Sequence, residues 1–248
     1  MLDSLVAFAE IGDGLEAEAA TGLSLSIDGP FGMGLGASPD NLVIRAAEHV
    51  GGGAALRLTK VLPVSSGIGG GSADAAATVR ALARLHGRAL PDPASLKVLG
   101  ADVPVCLGSH TARMRGIGEV LEDAPALPPA WVVLANPGVA VSTPAVFRAL
   151  ASPMNAPMQM PRAFDGFGHL VDWLRAQRND LEQPALSVAP AIAEGLAALA
   201  EASPLARMSG SGATCFALHS DSASALRAAD ALRAAHPGWW VAASPLRV

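Results

Sequence analysis

Apolar and polar residues alternate in two segments near the amino terminus, residues 5–8 and 23–27, as they do in half-buried strands. Asp28-Gly29-Pro30 follows the second segment and supplies residue types that favour a turn. A further strand is predicted at residues 55–60. The pattern therefore predicts that the chain opens in a sheet.

Helical periodicity recurs along the rest of the chain. Residues 42–50 carry apolar side chains at helical spacing, Asn41 can cap the start of this helix, and Gly51 can end it. Further helices are predicted at residues 73–85, 146–150, 170–177, 190–202 and 221–235. Because strands and helices mix without a repeating strand–helix period, the pattern favours an α+β fold over a doubly wound sheet.

A proline-rich stretch near the middle of the chain, residues 124–129, is the predicted linker. An apolar strand predicted at residues 131–135 follows it directly. We therefore predict two domains, residues 1–126 and residues 130–248. The total of 248 residues is long enough for two small domains with separate cores.

Composition narrows the class of protein. Hydrophobic residues make up 51% of the chain and charged residues only 16%, which excludes a disordered chain. A net charge of -5 offers no general attraction to nucleic acid or to an anionic membrane, so we expect neither as a partner. The two cysteines lack the spacing of metal ligands, and the amino terminus lacks a signal-peptide pattern. These observations predict a cytoplasmic protein.

A glycine-rich loop between a predicted strand and a predicted helix gives the clearest chemical signal. Such a loop presents backbone N–H groups and the positive end of a helix dipole to a phosphate. The candidate nucleotide contacts are Pro63, Val64, Ser65, Ser66, Gly67, Ile68, Gly69, Gly70, Gly71, Ser72 and Ala73. The Ser72 hydroxyl is also a candidate Mg²⁺ contact. A flexible loop without a ligand is the alternative, and no GxxxxGK[ST] sequence identifies it as a Walker loop.

This loop resembles the ATP-binding motif of the GHMP kinases. Other segments resemble one family within that superfamily, the 4-diphosphocytidyl-2-C-methyl-D-erythritol kinases, and they follow that family's order over essentially the whole chain. They are Lys60-Val-Leu-Pro63, Gly100-Ala-Asp-Val-Pro-Val-Cys106, Gly116-Ile-Gly-Glu119, Asn136-Pro-Gly138, Asn179-Asp-Leu-Glu182 and Met208-Ser-Gly-Ser-Gly-Ala-Thr-Cys-Phe216.

The resemblance implies a two-domain α+β fold. Its amino-terminal domain would be ribosomal-protein-S5-domain-2-like, its carboxy-terminal domain would be ferredoxin-like, and ATP would lie between them. The implied activity is transfer of the ATP γ-phosphate to the 2-hydroxyl of 4-(cytidine 5'-diphospho)-2-C-methyl-D-erythritol, with Mg²⁺, in the non-mevalonate pathway of terpenoid biosynthesis. The implied partner is this small cytidine diphosphate substrate, while the oligomeric state stays open between monomer and homodimer.

The resemblance also implies the roles of individual residues. Asp102 would accept the proton from the attacking hydroxyl, although an aspartate before Val103-Pro104 can equally be a helix cap or turn residue. A second glycine loop, with Gly210, Ser211 and Gly212, would approach the phosphates from the other domain. A tight turn between strands is the alternative for this loop, and the two are compatible.

A further segment matches the positions at which the family holds cytosine. Its residues are Thr143, Pro144 and Phe147, and an aromatic face at Phe147 would stack on the base. Taken alone, Phe147 would be read as a packing residue of the core.

The chain departs from the family's pattern at its amino terminus. The family's first strand, with a Pro-Ala-Lys-Ile-Asn-Leu motif, and its Gly-Tyr-His segment have no counterpart before Ser4-Leu5. The lysine of that motif stabilises the attacking group, and neither Lys60 nor Lys97 is an obvious substitute. We expect a misplaced start or a fragment. The alternatives are a catalytically impaired nucleotide-binding homologue and another small-molecule GHMP kinase, acting on a sugar or homoserine.

Overall fold

The computed structural model describes residues 2–248, so residue 1 of the predicted first domain lies outside it. The strands are β1 (Leu2–Val6), β2 (Gly14–Ala19), β3 (Leu23–Asp28), β4 (Ala54–Thr59), β5 (Ala112–Gly116), β6 (Val120–Asp123), β7 (Trp131–Asn136), β8 (Ala206–Met208), β9 (Cys215–His219) and β10 (Trp240–Pro245). The helices are α1 (Leu42–Val50), α2 (Gly70–Leu85), α3 (Val103–Gly108), α4 (Thr143–Arg148), α5 (Gly166–Arg175), α6 (Glu182–Val188), α7 (Ala191–Ala202) and α8 (Ser222–Ala235), with a short 3-10 helix at Pro93–Val98. The mixture confirms the α+β prediction.

The amino-terminal half contains two three-stranded sheets. One has the order β1-β5-β6 with antiparallel pairs, and the other has the order β2-β4-β3. In the second sheet β2 runs antiparallel to β4, whereas β3 runs parallel to it because α1 forms the crossover between them. Helices α2 and α3 pack with β5 in a shared core that includes Val79, Val103 and Met114.

Local capping signals account for the helices whose ends were predicted well. The Asn41 side chain accepts a hydrogen bond from the Val43 N–H at 2.9 Å, and Gly51 ends α1 with φ of +74°. Asp221 accepts from the Ser224 N–H at 2.8 Å in the same way at the start of α8. The predictions of helices at 42–50 and 221–235 are confirmed.

The prediction that α2 begins at residue 73 is wrong, because the helix starts at Gly70. Gly69 stands before it in the left-handed region with φ of +70°, and the Ala73 N–H already donates to the Gly69 carbonyl at 2.9 Å. Glycines in the first turn are tolerated since the helix continues for several turns of alanine. Gly70, Gly71 and Ser72 therefore belong to a helix amino terminus.

Other boundaries also shift by a few residues. The first strand lies at 2–6 where 5–8 was expected, α4 begins at Thr143 because Ser142 caps it, and α5 ends at Arg175. Strands β2, β5, β6 and β10 were not predicted.

The carboxy-terminal half is built on one antiparallel sheet with the order β10-β7-β9-β8. Numbered from its own first strand, this is the 4-1-3-2 order of a ferredoxin-like βαββαβ unit, as the resemblance implied. Val133 and Ala217 face α7 and α8 in one core, while Val132 and Leu218 face α5 in another. The sheet is thus covered by helices on both faces.

The two halves meet at a second place besides the 124–130 connection. The Glu10 N–H donates to the Pro245 carbonyl at 3.1 Å, and the Arg247 N–H donates to the Phe8 carbonyl at 2.7 Å. Ile11 N–H donates to the Ser244 hydroxyl at 3.1 Å. The sheets lie on either side of the predicted linker, although the boundary itself stays a prediction. No helix within residues 2–248 has the length and apolar character needed to cross a membrane.

Candidate active site

The first glycine loop connects β4 to α2 and offers a row of unused backbone donors. No backbone N–H from residue 64 to residue 72 donates to a protein acceptor within residues 2–248. The last of these donors form the first turn of α2, where the helix dipole is positive. This arrangement can bind a phosphate group without a lysine side chain.

The second glycine loop, which joins β8 to β9, lies directly against the first. The Ser209 hydroxyl donates to the Gly67 carbonyl at 3.0 Å, and the Thr214 N–H donates to the Ser66 carbonyl at 3.0 Å. The structure therefore brings together the two loops that the sequence separates by 142 residues. The tight-turn interpretation of the second loop is compatible with this contact, because the Gly212 N–H donates to the Ser209 carbonyl at 2.9 Å.

Two asparagines hold the second loop in shape, and neither was among the predicted site residues. The Asn179 amide donates to the Gly210 carbonyl at 2.9 Å and to the Met208 carbonyl at 3.2 Å. The Asn136 amide donates to the Thr214 hydroxyl at 2.9 Å. Their presence in the family-like motifs was the only sequence signal, since each contact joins residues far apart in the chain.

Asp102 stands at the N-cap position of α3, but its side chain makes no capping hydrogen bond. The half-buried carboxylate has no hydrogen-bond or ion-pair partner among residues 2–248, and burial raises its pKa. A Cβ added to Gly100 would lie 3.9 Å from the Ser72 hydroxyl, so the Asp102 segment begins beside the first glycine loop. The cap interpretation thus fits the backbone position, while the carboxylate itself is free to meet a ligand.

A buried ion triad lies beneath the first glycine loop. The Lys60 ammonium donates to Asp13 and, at 2.8 Å, to Asp74 of α2. Asp13 also accepts from the Val61 and Leu62 N–H groups at 2.6 and 2.9 Å, which fixes the start of the loop. The three side chains are at most 8% exposed. Lys60 is therefore committed to the two carboxylates and is not a substitute for the expected catalytic lysine.

Burial and charge act against each other on the pKa values of the triad. Burial lowers the pKa of Lys60, but Asp74 and Asp13 outweigh it, and the net pKa is raised. Burial raises the pKa of Asp74 to about 6 against the opposing effect of Lys60. The lysine stays charged at neutral pH, and its charge is what stabilises the two buried carboxylates.

Helix α4 carries the residues expected at the cytosine position and contacts the second glycine loop. The Thr143 and Ser211 hydroxyls are hydrogen-bonded at 2.8 Å. Phe147 is 44% exposed, so the interpretation of this residue as core packing is wrong. Pro144 is also exposed in the first turn of the helix. All three expected residues therefore lie on one short helix beside the glycine loops.

Other reactive side chains do not add to this site. Lys97 is exposed on the 3-10 helix. Burial raises the pKa of both thiols, Cys106 and Cys215, to about 12, so they are protonated at neutral pH. Within residues 2–248 no group of three or more histidine, cysteine, aspartate or glutamate side chains is arranged to hold a metal ion.

Two protein-family models match the chain, one in each half. The family model described as "GHMP kinases N terminal domain" matches residues 41–110, and the one described as "GHMP kinases C terminal" matches residues 160–238. A 4-diphosphocytidyl-2-C-methyl-D-erythritol kinase of Cereibacter sphaeroides is 57% identical over 249 residues, covering 97% of this chain and 88% of the relative. This chain belongs to the 4-diphosphocytidyl-2-C-methyl-D-erythritol kinase family.

Other proteins of the same family are also similar to this chain. The protein of that name from Ruegeria pomeroyi is 57% identical, with 98% of this chain and 89% of the relative covered. A crystal structure of a 4-(cytidine 5'-diphospho)-2C-methyl-D-erythritol kinase superposes with a TM-score of 0.75 at 32% identity, over 99% of this chain and 90% of that one. The homoserine kinase from Cytophaga hutchinsonii, at 18% identity and a TM-score of 0.66, shares the fold. Membership of the 4-diphosphocytidyl-2-C-methyl-D-erythritol kinase family therefore argues against the alternative of a GHMP kinase that acts on a sugar or on homoserine.

Proposed function

We propose that this chain transfers the γ-phosphate of ATP to the 2-hydroxyl of 4-(cytidine 5'-diphospho)-2-C-methyl-D-erythritol, a step of the non-mevalonate pathway of terpenoid biosynthesis. Membership of the kinase family supports the proposal. The observation that carries it is the unpartnered Asp102 carboxylate beside a helix amino terminus whose N–H groups have no protein acceptor. An ATP-consuming reaction on a small molecule also fits a cytoplasmic protein.

The phosphates of ATP would bind the first glycine loop. Phosphoryl transfer needs positioning and charge stabilisation more than covalent chemistry. The unused N–H groups of residues 64–72 and the dipole of α2 supply both. The N–H groups of Gly210 and Ser211, in the adjoining second loop, likewise donate to no backbone acceptor within residues 2–248. The triphosphate would then lie against the first loop, beside its contact with the second.

Gly67→Ala is expected to raise the KM for ATP by about tenfold or more, since a displacement of about 1 Å in a positioned group can cost up to about 10²-fold. A Cβ at Gly67 would clash with the Gly212 carbonyl oxygen and force the loops apart. Gly87→Ala is the matched control, because Gly87 lies after α2, outside both loops, and has a similar positive φ but no atom within 4 Å of its added Cβ. Steady-state kinetics that give both variants the same KM would contradict the explanation.

Asp102 would act as the general base. Its carboxylate can accept the proton of the attacking hydroxyl. Burial raises the pKa of this carboxylate, which brings the pKa nearer to neutral pH. Because no protein group within residues 2–248 occupies this carboxylate, the acceptor hydroxyl is its natural partner. The proton transfer would accompany attack of the hydroxyl oxygen on the γ-phosphorus, while the bond from this phosphorus to the β,γ-bridging oxygen breaks and ADP leaves.

Magnesium is part of the proposal. Mg²⁺ in kinases takes most of its ligands from phosphates and water, so it needs few protein oxygens. The residues present fit this, because Ser72 offers a hydroxyl in the first turn of α2 while Asp74 is held by Lys60. When bound, the ion neutralises charge on the phosphates. Loss of turnover in EDTA and its recovery with added MgCl₂ would support this part.

The cytosine base would bind α4. Phe147→Ala is expected to raise the KM for the cytidine diphosphate substrate by about tenfold, because stacking of a base on an aromatic ring contributes about 1–3 kcal/mol. The exposed ring of Phe147 is available for this contact. Phe147→Leu, which keeps an apolar side chain without an aromatic face, should show nearly the same loss. Full retention of substrate affinity in the leucine variant would instead indicate a packing role.

The direct test of the proposed function is ATP-dependent phosphorylation of 4-(cytidine 5'-diphospho)-2-C-methyl-D-erythritol by this chain, followed by ³¹P NMR of the product. Formation of the 2-phosphate is expected, and phosphorylation of homoserine or a sugar at a higher kcat/KM would contradict it. A catalytically impaired homologue is the second candidate, because Lys60 is tied to two carboxylates and Lys97 is exposed. ATP binding without turnover would identify that case.

A further inference from the structure

The loop between α4 and α5, residues 149–165, leaves the carboxy-terminal half and docks on the first sheet of the amino-terminal half. We refer to it as the α4–α5 loop. Its contact residue is Met158, whose N–H donates to the Asp3 carboxylate at 2.7 Å and whose carbonyl accepts from the Arg113 guanidinium at 2.9 Å. Both backbone polar groups of Met158 are thus bound by side chains of β1 and β5.

Asp3 and Arg113 form one clamp. Two nitrogens of the guanidinium donate to the two carboxylate oxygens at 2.7 and 2.8 Å, in the bidentate geometry that makes such pairs strong. Their side chains are only 19% and 17% exposed. Because the pair is largely shielded from water and also binds the loop backbone, it contributes more than an ordinary surface ion pair.

The α4–α5 loop is also held on the side of the carboxy-terminal half. The Asn155 amide donates to the Asp180 carboxylate at 2.8 Å, and Arg178 donates to the Ala156 carbonyl at 2.6 Å. These two contacts precede Met158 in the chain. The loop is therefore hydrogen-bonded to both halves: to its own, carboxy-terminal half and to the amino-terminal half.

The clamp joins the two elements that would bind the cytidine diphosphate substrate, the phosphate acceptor. One is α4 and the other is the segment that carries Asp102. The loop begins where α4 ends, and α4 carries Phe147 and Thr143. On the other side, β5 leads into the turn at residues 116–119, where a Cβ on Gly118 would lie 2.8 Å from the Ala101 carbonyl next to Asp102. The clamp thus connects the cytosine-binding helix to the strand that supports the proposed base.

We propose that Asp3 and Arg113 are positioning residues that hold α4 at the correct distance from the Asp102 segment through the backbone of Met158. In this role they would act through the loop backbone, without contacting ATP or the reacting hydroxyl. This inference rests on the proposed function, because it assigns the acceptor to the space between α4 and Asp102.

Arg113→Ala is the principal test, with Arg115→Ala as matched control. Arg115 lies two residues along the same strand, is 45% exposed and pairs with Glu122 at 2.8 Å, so its loss leaves the clamp intact. We expect Arg113→Ala to raise the KM for the cytidine diphosphate substrate by about tenfold, equal to about 1.4 kcal/mol. The KM for ATP should change by less than about twofold, since the two glycine loops are unaffected. Arg115→Ala should match the unsubstituted chain in both constants.

Hydrogen–deuterium exchange gives a readout that does not depend on turnover. The amide of Met158 should exchange faster in Arg113→Ala than in Arg115→Ala, because its acceptor Asp3 loses the partner that orients it. Asp3→Asn keeps an oxygen that can accept from this amide and should show a smaller effect on the same KM. This variant serves as the test should Arg113→Ala fail to fold.

The outcomes separate the two proposals. An unchanged acceptor KM in Arg113→Ala, or an equal rise in the KM of both substrates, overturns the positioning role while the activity of the unsubstituted chain keeps the proposed function. Absence of phosphorylation by the unsubstituted chain overturns the proposed function and with it the role of the clamp in acceptor binding. A selective rise in acceptor KM together with faster exchange at Met158 supports both.

Discussion

Asp102→Asn lowers kcat by about 10²- to 10⁴-fold if this carboxylate is the general base, since that is the usual contribution of a positioned base. Asparagine has the same size but cannot accept the proton. The backbone of α3 should be unaffected, because the Asp102 side chain makes no capping hydrogen bond. Steady-state kinetics should show KM values for both substrates close to those of the unsubstituted chain.

Stability and pH provide controls for this first prediction. Burial raises the pKa of Asp102, so the charged carboxylate is disfavoured in the folded state and asparagine should leave the melting temperature unchanged or slightly higher. The base must be deprotonated, so kcat of the unsubstituted chain should fall as pH decreases through this raised pKa, above the ordinary carboxyl range of about 4. A variant with unchanged kcat would rule out the assigned role.

Lys60→Met should lower the free energy of unfolding by about 3–5 kcal/mol, the usual cost of removing one partner from a buried ion pair. The substitution leaves Asp13 and Asp74 buried without their shared cation. The start of the first glycine loop should also loosen, because Asp13 binds the Val61 and Leu62 N–H groups. Urea unfolding at neutral pH measures the loss directly.

The deficit of Lys60→Met should shrink as pH falls. Burial raises the pKa of Asp74, and loss of Lys60 removes the charge that opposes this rise. Above the unfolded pKa of about 3.9, the folded variant therefore binds more protons than the unfolded chain. Stability of the variant therefore decreases as pH rises through that folded pKa and recovers below it. Lys97→Met, at an exposed position, should change stability by less than about 0.5 kcal/mol. Equal stabilities of the two lysine variants at pH 7 would refute the account of the triad.

Sequence signals located those parts of the molecule whose cause is local. Asn41 and Asp221 cap helices within three residues of themselves, so α1 and α8 could be predicted from short windows. The start of α2 was missed because glycine normally argues against helix, and only the left-handed Gly69 explains why Gly70 can begin one. Strand β2 was missed since its inward residues alternate with glutamates but include a small alanine, which gives weak contrast.

The candidate site was predictable where its motifs are contiguous, as at residues 63–73 and around Asp102. The ion triad was not, because it depends on sheet register. Gly14 pairs with Thr59, so Asp13 just before β2 is brought opposite Lys60 just after β4. The contact of Ser209 with Gly67 likewise depends on how two separate cores meet. No pattern within one segment of the sequence encodes either contact.

Hydrogen bonds from residues 8–11 to residues 244–247 hold the two halves of the protein together. The chain joins the halves covalently at residues 124–130. Main-chain hydrogen bonds from Glu10 to Pro245 and from Arg247 to Phe8 join them a second time. Wide separation of the halves would break both bonds together, because they flank a single antiparallel bridge between Ala9 and Leu246, just after β10. Because the two glycine loops also bridge the halves, we expect both halves to unfold together as one cooperative unit.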